Sequence, residues 1–271
     1  MESLRLVERW PVDNVALAVV SADGTVLAEH GDPRRAFPLA SVTKPLTAYA
    51  ALIAIEEGVV ELDTPAGPEG ASIRHLLAHT SGLAFDEHKV VAAPGTRRLY
   101  SNSGFEQLAD ALAEHSGIAF ADYQAEALFE PLGMSGTRLN GSPASGAVSC
   151  VADLSAFAAE LQAPKLLDAR TVAAATSVVF PGLSGVLPGF GHQKPNDWGL
   201  GFEIRDHKSP HWTGANSSPG TFGHFGQSGT FLWVDPGARM ACVALTDRAF
   251  GPWAAEVWPP FTDAVLADFA R

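Results

Sequence analysis

The sequence has only two cysteines, Cys150 and Cys242, in 271 residues, and their separation matches no metal-ligand spacing. A disulfide between them is neither required nor indicated, and a reducing cytoplasm is the expected compartment. Basic residues are also in deficit. Against 30 Asp and Glu there are 18 Lys and Arg, giving a formal net charge of −12 and a sequence pI near 5.1. Such a chain repels phosphate, which argues against nucleic acid and anionic membrane surfaces as partners. No apolar run reaches the length of a membrane span. The first ten residues, Met1 to Trp10, mix charges of both signs where a secretory signal would be continuously apolar. There is no fixed-period repeat and no low-complexity tract.

Two motifs are missing as well. No serine has the Gly-x-Ser-x-Gly context of the α/β-hydrolase nucleophile elbow. His75 and His79 stand four residues apart on a predicted helix, but no glutamate follows His75 and no third ligand is apparent. No metal and no other cofactor is therefore expected. What remains is a chain that is 46% hydrophobic and 18% charged, ordinary for a soluble globular enzyme, and this composition says nothing about a small-molecule substrate. These properties leave its oligomeric state open.

Residues 14–20 and 24–29 are β-rich runs around Asp23-Gly24, a strong hairpin signal. Leu46, Ala50, Ile53 and Ala54 recur at helical spacing and predict an amphipathic helix over 41–57, ended by Gly58. Pro45 is tolerable only near its start, which puts Ser41 and Lys44 in the first turn. From 60 to 195 short helical pieces are expected at 73–78, 104–116, 123–129, 151–161 and 169–177. Strands return at 198–204, 221–226, 230–234 and 240–246, and a last helix is expected after Pro259-Pro260. The pattern predicts an α+β fold, with an antiparallel sheet built from residues 1–60 and 197–271, flanked by helices, and a mostly helical subdomain over 61–196.

Three segments carry residues suited to chemistry. Ser41 and Lys44, three residues apart, share a helix face. A serine hydroxyl needs a neighbouring base, and a partly buried lysine with a lowered pKa can be one. Tyr100-Ser101-Asn102 stands where a helix begins. A tyrosine near a lysine ammonium is expected to have its anion favoured and to shuttle protons. Ser101 or Asn102 equally suits a helix N-cap, with Tyr100 then a surface residue. In the third segment, His224-Phe225-Gly226, glycines on a strand permit close approach of a ligand and the edge offers an N–H to an oxyanion. Of the tryptophans, Trp212 is the one expected to line a cleft.

In this order, the three segments resemble the serine β-lactamase and penicillin-binding-protein family, with its Ser-x-x-Lys, Tyr-x-Asn and His-x-Gly boxes. Leu76-Leu77-Ala78-His79-Thr80-Ser81-Gly82-Leu83, Pro131-Leu132-Gly133-Met134 and Trp198-Gly199-Leu200-Gly201-Phe202 are similar to segments of its class C, D-alanyl-D-alanine peptidase and serine esterase branch. The resemblance implies a β-lactamase/transpeptidase-like fold and an acyl-enzyme on Ser41. It makes Lys44 the proton acceptor or relay and Tyr100 the general acid and base. The backbone N–H groups of Ser41 and Gln227 would form the oxyanion hole, Asn102 and His224 would orient substrate or protons, and Gly226 would allow close approach.

Phe225 stands where many members carry a threonine that helps bind the substrate carboxylate, and His224 stands where many carry lysine. The chain is also short for the family, which implies trimmed loops. Together with the missing signal, these departures favour hydrolysis of a small ester or amide. A true β-lactamase or D-alanyl-D-alanine carboxypeptidase is the alternative, and a catalytically silent ligand-binding member is the alternative outside enzymes.

Overall fold

A computed structural model describes residues 1–270. The chain opens with helix α1 (Glu2–Val7), strands β1 (Val15–Ser21) and β2 (Val26–His30), and the two-residue β3 (Phe37–Pro38). One 3-10 turn (Ala40–Val42) then leads into α2 (Thr43–Glu56). The middle carries α3 (Ile73–Leu77), α4 (Asn102–Ser116), α5 (Phe120–Gln124) with a π turn (Ala125–Phe129), and short strands β4 (Arg138–Leu139) and β5 (Ala147–Ser149). It continues with α6 (Val151–Gln162), α7 (Ala169–Ala175) and the hairpin of β6 (Gly185–Leu187) and β7 (Gly191–Gln193). The last part is β8 (Glu203–Ile204), β9 (Phe222–Gly226), β10 (Thr230–Asp235), β11 (Met240–Thr246) and α8 (Pro252–Phe269).

The main sheet has the order β2-β1-β11-β10-β9-β8, antiparallel throughout, so both ends of the chain build it as the sequence predicts. Its central strands are apolar on both faces. Ala16, Ala18, Val20, Leu232, Val234, Ala241, Val243 and Leu245 join the core that holds α2 and α6. Leu17, Val19, Phe231, Trp233, Cys242 and Ala244 alternate with them and face Trp258, Phe261 and Val265 of α8. Period-2 alternation between two covered faces explains why these strands read as nearly continuous apolar runs. The middle segment, expected to be mostly helical, also carries strands: β4 and β5 form a small sheet with β3 from the N-terminal part, and β6 pairs with β7.

Three expectations are corrected by packing. The helix over 41–57 is buried from Thr43 through Ala54, so its apolar residues mark no single face. Gly201 is one reason: a Cβ there would lie 2.1 Å from the Ala48 Cβ, and only glycine lets that loop close on α2. The same contact shortens the strand expected at 198–204 to Glu203–Ile204. The stretch doubles back, with the Gly199 N–H donating to Phe202 O at 2.9 Å and the Gly201 N–H to Leu77 O at 2.9 Å. Finally, α8 starts at Pro252 and runs through Pro259 and Pro260. An interior proline costs about 3 kcal/mol, and here the buried Trp258, Phe261, Val265 and Leu266 offset that cost by packing on the sheet.

Trp258, fully buried between Phe225, Phe231, Phe250 and Trp253, tests that account. Trp258→Ala should lower unfolding stability in urea by about 3–5 kcal/mol. Val178→Ala, at a site 39% exposed, should change it by less than about 0.5 kcal/mol.

Candidate active site

Ser41 is the middle residue of the 3-10 turn Ala40–Val42, and Lys44 is the second residue of α2. Ala40 has φ +46°, a strained backbone for a residue with a Cβ. The turn is held against the sheet by the Thr230 hydroxyl, which donates to Leu39 O at 2.8 Å. Gly226 makes that approach feasible, since a Cβ on it would sit 2.3 Å from Leu39 O. The close neighbour that requires this glycine is the Ser41 turn, where the sequence pointed to a ligand.

Lys44 is fully buried, and its ammonium donates to Asn102 Oδ1 (2.6 Å), Ala144 O (2.9 Å) and Ser41 Oγ (3.3 Å). Burial pulls its pKa down to about 7, against the opposing pull of Asp86 and Glu106. A large fraction is therefore neutral amine at physiological pH, a base in contact with the serine hydroxyl. Asn102 spends both ends of its amide inside the chain, accepting from Lys44 and donating to Asp86 Oδ1 at 2.7 Å. It positions the lysine, which matches the proton-orienting role of the two expected for it and leaves neither end of the amide for substrate.

Tyr100 lies 4.6 Å, ring centroid to Nζ, from Lys44, and its side chain lines the same cavity as Ser41. The expected phenolate is overturned: burial raises the phenol's pKa and outweighs the lowering influence of the Ser41 hydroxyl. Tyr100 thus rests as a neutral proton donor. The cap expected of this segment is present, but Tyr100 is not the surface residue that went with it: it lines the cavity. Ser101 caps α4 by accepting from the Gly104 N–H at 3.0 Å, while its neighbours on either side reach Lys44.

His224 lies on β9, buried. Its Nδ1 meets Phe225 O at 2.6 Å, and a carbonyl only accepts, so Nδ1 carries the proton. Nε2 is then the acceptor, 3.4 Å from the Tyr100 hydroxyl. Burial, helped by the Lys44 charge, pushes its pKa down to about 3. The imidazole is a neutral acceptor that orients the Tyr100 proton. Gln227 follows β9 at the rim of the cavity, and neither its N–H nor that of Ser41 donates to another backbone group among the described residues. Both amides are free for an oxyanion.

The structure brings Ser41, Lys44, Tyr100, Asn102, His224, Gly226 and Gln227 into one cluster, and gives supporting roles to His79, Arg98 and Glu203. His79, with φ +55°, accepts the Leu99 N–H at its carbonyl (2.8 Å) and the Ser101 N–H at Nδ1 (3.2 Å), clamping the Tyr100 segment from both sides. Its ring packs on Tyr100, Phe105 and Trp198, and no metal-ligand cluster exists among the described residues. Arg98, buried, donates to the carbonyls of Ala78, Val179, Phe180 and Asn196 and ties that segment to its neighbours. Glu203 closes the cavity floor, its carboxylate taken up by Lys208, by His211 Nε2 (3.0 Å) and by the Trp212 N–H (3.1 Å). Nothing in the sequence marks Arg98 or Glu203, because their partners are backbone carbonyls or residues met only through the fold. Trp212 does not line the cleft; it lies one layer behind, buried against Phe225.

The cavity over Ser41 has a volume of about 230 Å³ and is walled by Phe85, Leu187, Pro188, Trp198 and Phe225. A candidate nucleophile, a depressed-pKa lysine, a neutral phenol and two free amides around one cavity make up the candidate site of a β-lactamase-fold chain. The chain belongs to the Beta-lactamase family, whose profile matches residues 8–267. It is 58% identical to a β-lactamase from Mycobacterium bovis of known structure, over 99% of this chain and 100% of that one, with a TM-score of 0.98. It is 32% identical to penicillin-binding protein 4* of Bacillus subtilis over 38% of this chain and 30% of that protein. With the D-alanyl-D-alanine-carboxypeptidase/endopeptidase AmpH of Escherichia coli it shares 27% identity over 48% of this chain and 46% of that one. The match thus spans less than half the length of either curated relative. No helix among the described residues is long and apolar enough to cross a membrane.

Two outcomes test this geometry. The rate of fluorophosphonate labelling of Ser41, read by intact mass, should rise about tenfold per pH unit up to about pH 7 and level off above it, because only the neutral Lys44 amine accepts a proton. A profile still rising at pH 10 would mean a solvated lysine. Gly226→Ala should destabilise the protein by about 1–3 kcal/mol, since backbone must move, and should slow labelling far more than any stability-matched core variant.

Proposed function

We propose that the protein is a serine acyl hydrolase that cleaves small esters through an acyl-enzyme on Ser41. The observation that carries this reading is the apolar cavity. Among the described residues its lining includes no lysine or arginine, and its one carboxylate, Glu203, is already neutralised by Lys208. Phe225 packs against Phe190 and Phe250, closing with aromatic surface the position where a carboxylate-binding hydroxyl would stand. A β-lactam or a peptide C-terminus would bring its carboxylate into this cavity without a cation to meet it, whereas a neutral ester loses nothing on entering.

Ser41 Oγ attacks the ester carbonyl as the neutral Lys44 amine takes its proton, and the Ser41 and Gln227 N–H groups hold the oxyanion. As the carbonyl re-forms, the C–O bond to the alcohol breaks and the leaving oxygen takes the Tyr100 proton. A water then gives a proton to the Tyr100 phenolate and attacks the acyl-enzyme. Collapse releases the acid, and the Lys44 ammonium returns its proton to Ser41. At rest Lys44, desolvated and free of a carboxylate contact, is the deprotonated member of the pair and Tyr100 the protonated one, so the amine can take the first proton while the phenol holds the one delivered to the leaving oxygen.

A slower lactamase activity is the second reading, favoured by the 58% identity to the M. bovis β-lactamase. The test is a panel of aryl acetates, D-amino-acid amides and a chromogenic cephalosporin against wild type and Ser41→Ala. Aryl acetates should show the highest kcat/KM, and Ser41→Ala should lose a factor of about 10³ or more. Faster turnover of the cephalosporin would reverse the substrate assignment. Full activity in Ser41→Ala would remove the mechanism, and absence of any covalent adduct in wild type would leave a binding protein.

A further inference from the structure

A second cavity of about 360 Å³ adjoins the one over Ser41, and the two share Phe85, Tyr100 and Pro188. This outer groove runs between two walls. One is the loop from Leu83 to Val91, closed by the Ala84 N–H donating to Lys89 O at 2.9 Å. The other is the β6–β7 hairpin, tied to the groove floor by the Arg98 N–H donating to Ser184 O at 3.2 Å. The floor is the segment Arg97 to Tyr100.

Its walls are apolar and open to solvent: Phe85 is 52% exposed, Val91 49% and Val186 58%. These are branched and aromatic side chains of two separate segments, lining one groove that shares Tyr100 with the cavity over Ser41. Arg97 and His192 line this groove and not the cavity over Ser41, and Arg97 has no acidic partner within ion-pair distance among the described residues. In a chain of net charge −12, an arginine left unpaired beside an apolar groove is suited to an external anion.

Which part of an ester lies here follows from Tyr100. A proton donor must be within hydrogen-bond reach of the leaving oxygen, so the alcohol portion begins at Tyr100, where the groove also begins. Arg97 lies three residues before Tyr100, at most about 10 Å along the chain. We infer that the outer groove binds the alcohol portion of the ester, an unbranched apolar chain of about six to eight carbons ending in an anionic group. This inference rests on the ester-hydrolase reading above and goes beyond it by naming the leaving group.

The test compares kcat/KM for acetate esters of ethanol, hexanol, octanol and 8-hydroxyoctanoate, in wild type, Val186→Asp and Arg97→Gln. In wild type kcat/KM should climb about two- to fourfold per methylene to hexyl or octyl. The 8-acetoxyoctanoate should exceed octyl acetate by about three- to fivefold, an advantage lost in Arg97→Gln and at 0.5 M salt, as for an exposed ion pair. Val186→Asp, at an exposed site, should lower the octyl-to-ethyl ratio severalfold. A flat chain-length series in an enzyme that cleaves phenyl acetate would overturn the groove assignment while leaving the hydrolase reading intact. No advantage for the carboxylated ester, or an advantage that survives in Arg97→Gln, would overturn the anionic end. Failure to cleave phenyl acetate as well would defeat the hydrolase reading on which both depend.

Discussion

An amine taken out of water is the constraint around which this molecule is arranged. Lys44 sits on a helix buried on every side, and desolvation lowers its pKa to about 7 despite two acidic residues in its surroundings. A lysine in that position needs acceptors in place of its lost hydration shell, and Asn102 and Ala144 supply them. Ala144 belongs to a loop that Thr47 and Thr43 of the same helix hold through Pro143 O and the Ala147 N–H. Helix α2 thus fixes the partners of its own lysine. The neutral states of Tyr100 and His224 arise from the same dryness, since burial is the leading cause of both shifts.

Rigid support for that arrangement comes from main-chain bonds. His79 clamps the Tyr100 segment through its own carbonyl and ring nitrogen, and Arg98 spreads its guanidinium over four carbonyls next to it. Gly226 and Thr230 seat the Ser41 turn on the sheet edge. Each of these contacts joins segments distant in sequence, so the reacting groups are positioned by tertiary structure and owe little to local helix geometry. Ala40 illustrates the cost: its φ of +46° is tolerated because the surrounding contacts fix the turn.

Much of this was legible in the residues, for identifiable reasons. The β1–β2 hairpin follows from Asp23-Gly24, and the central strands from their period-2 alternation. Ser41, Lys44, Tyr100, Asn102, His224 and Gly226 were found because motif spacing reports side-chain types that chemistry requires together. Illegible were properties set by what surrounds a residue. The direction of the Tyr100 shift depends on burial that no local pattern encodes, and the engagement of Asn102 by Lys44 and Asp86 depends on a loop 16 residues upstream. Sequence likewise put the start of α8 at Pro259-Pro260, since local propensity gives no weight to the aromatic packing that carries the helix through them.

The pairing of β1 with β11 joins residues more than two hundred positions apart. Every group in the candidate site is made before β11 leaves the ribosome, yet the sheet that seats the Ser41 turn is incomplete until it does. At about 5–20 residues per second, the nascent chain spends tens of seconds with β1 unpaired on one side and the helical middle lacking its sheet. Its long-range topology therefore makes assembly of the nucleophile a late event in biosynthesis, and the apolar strand β1 is a segment that must be shielded from other chains in the meantime.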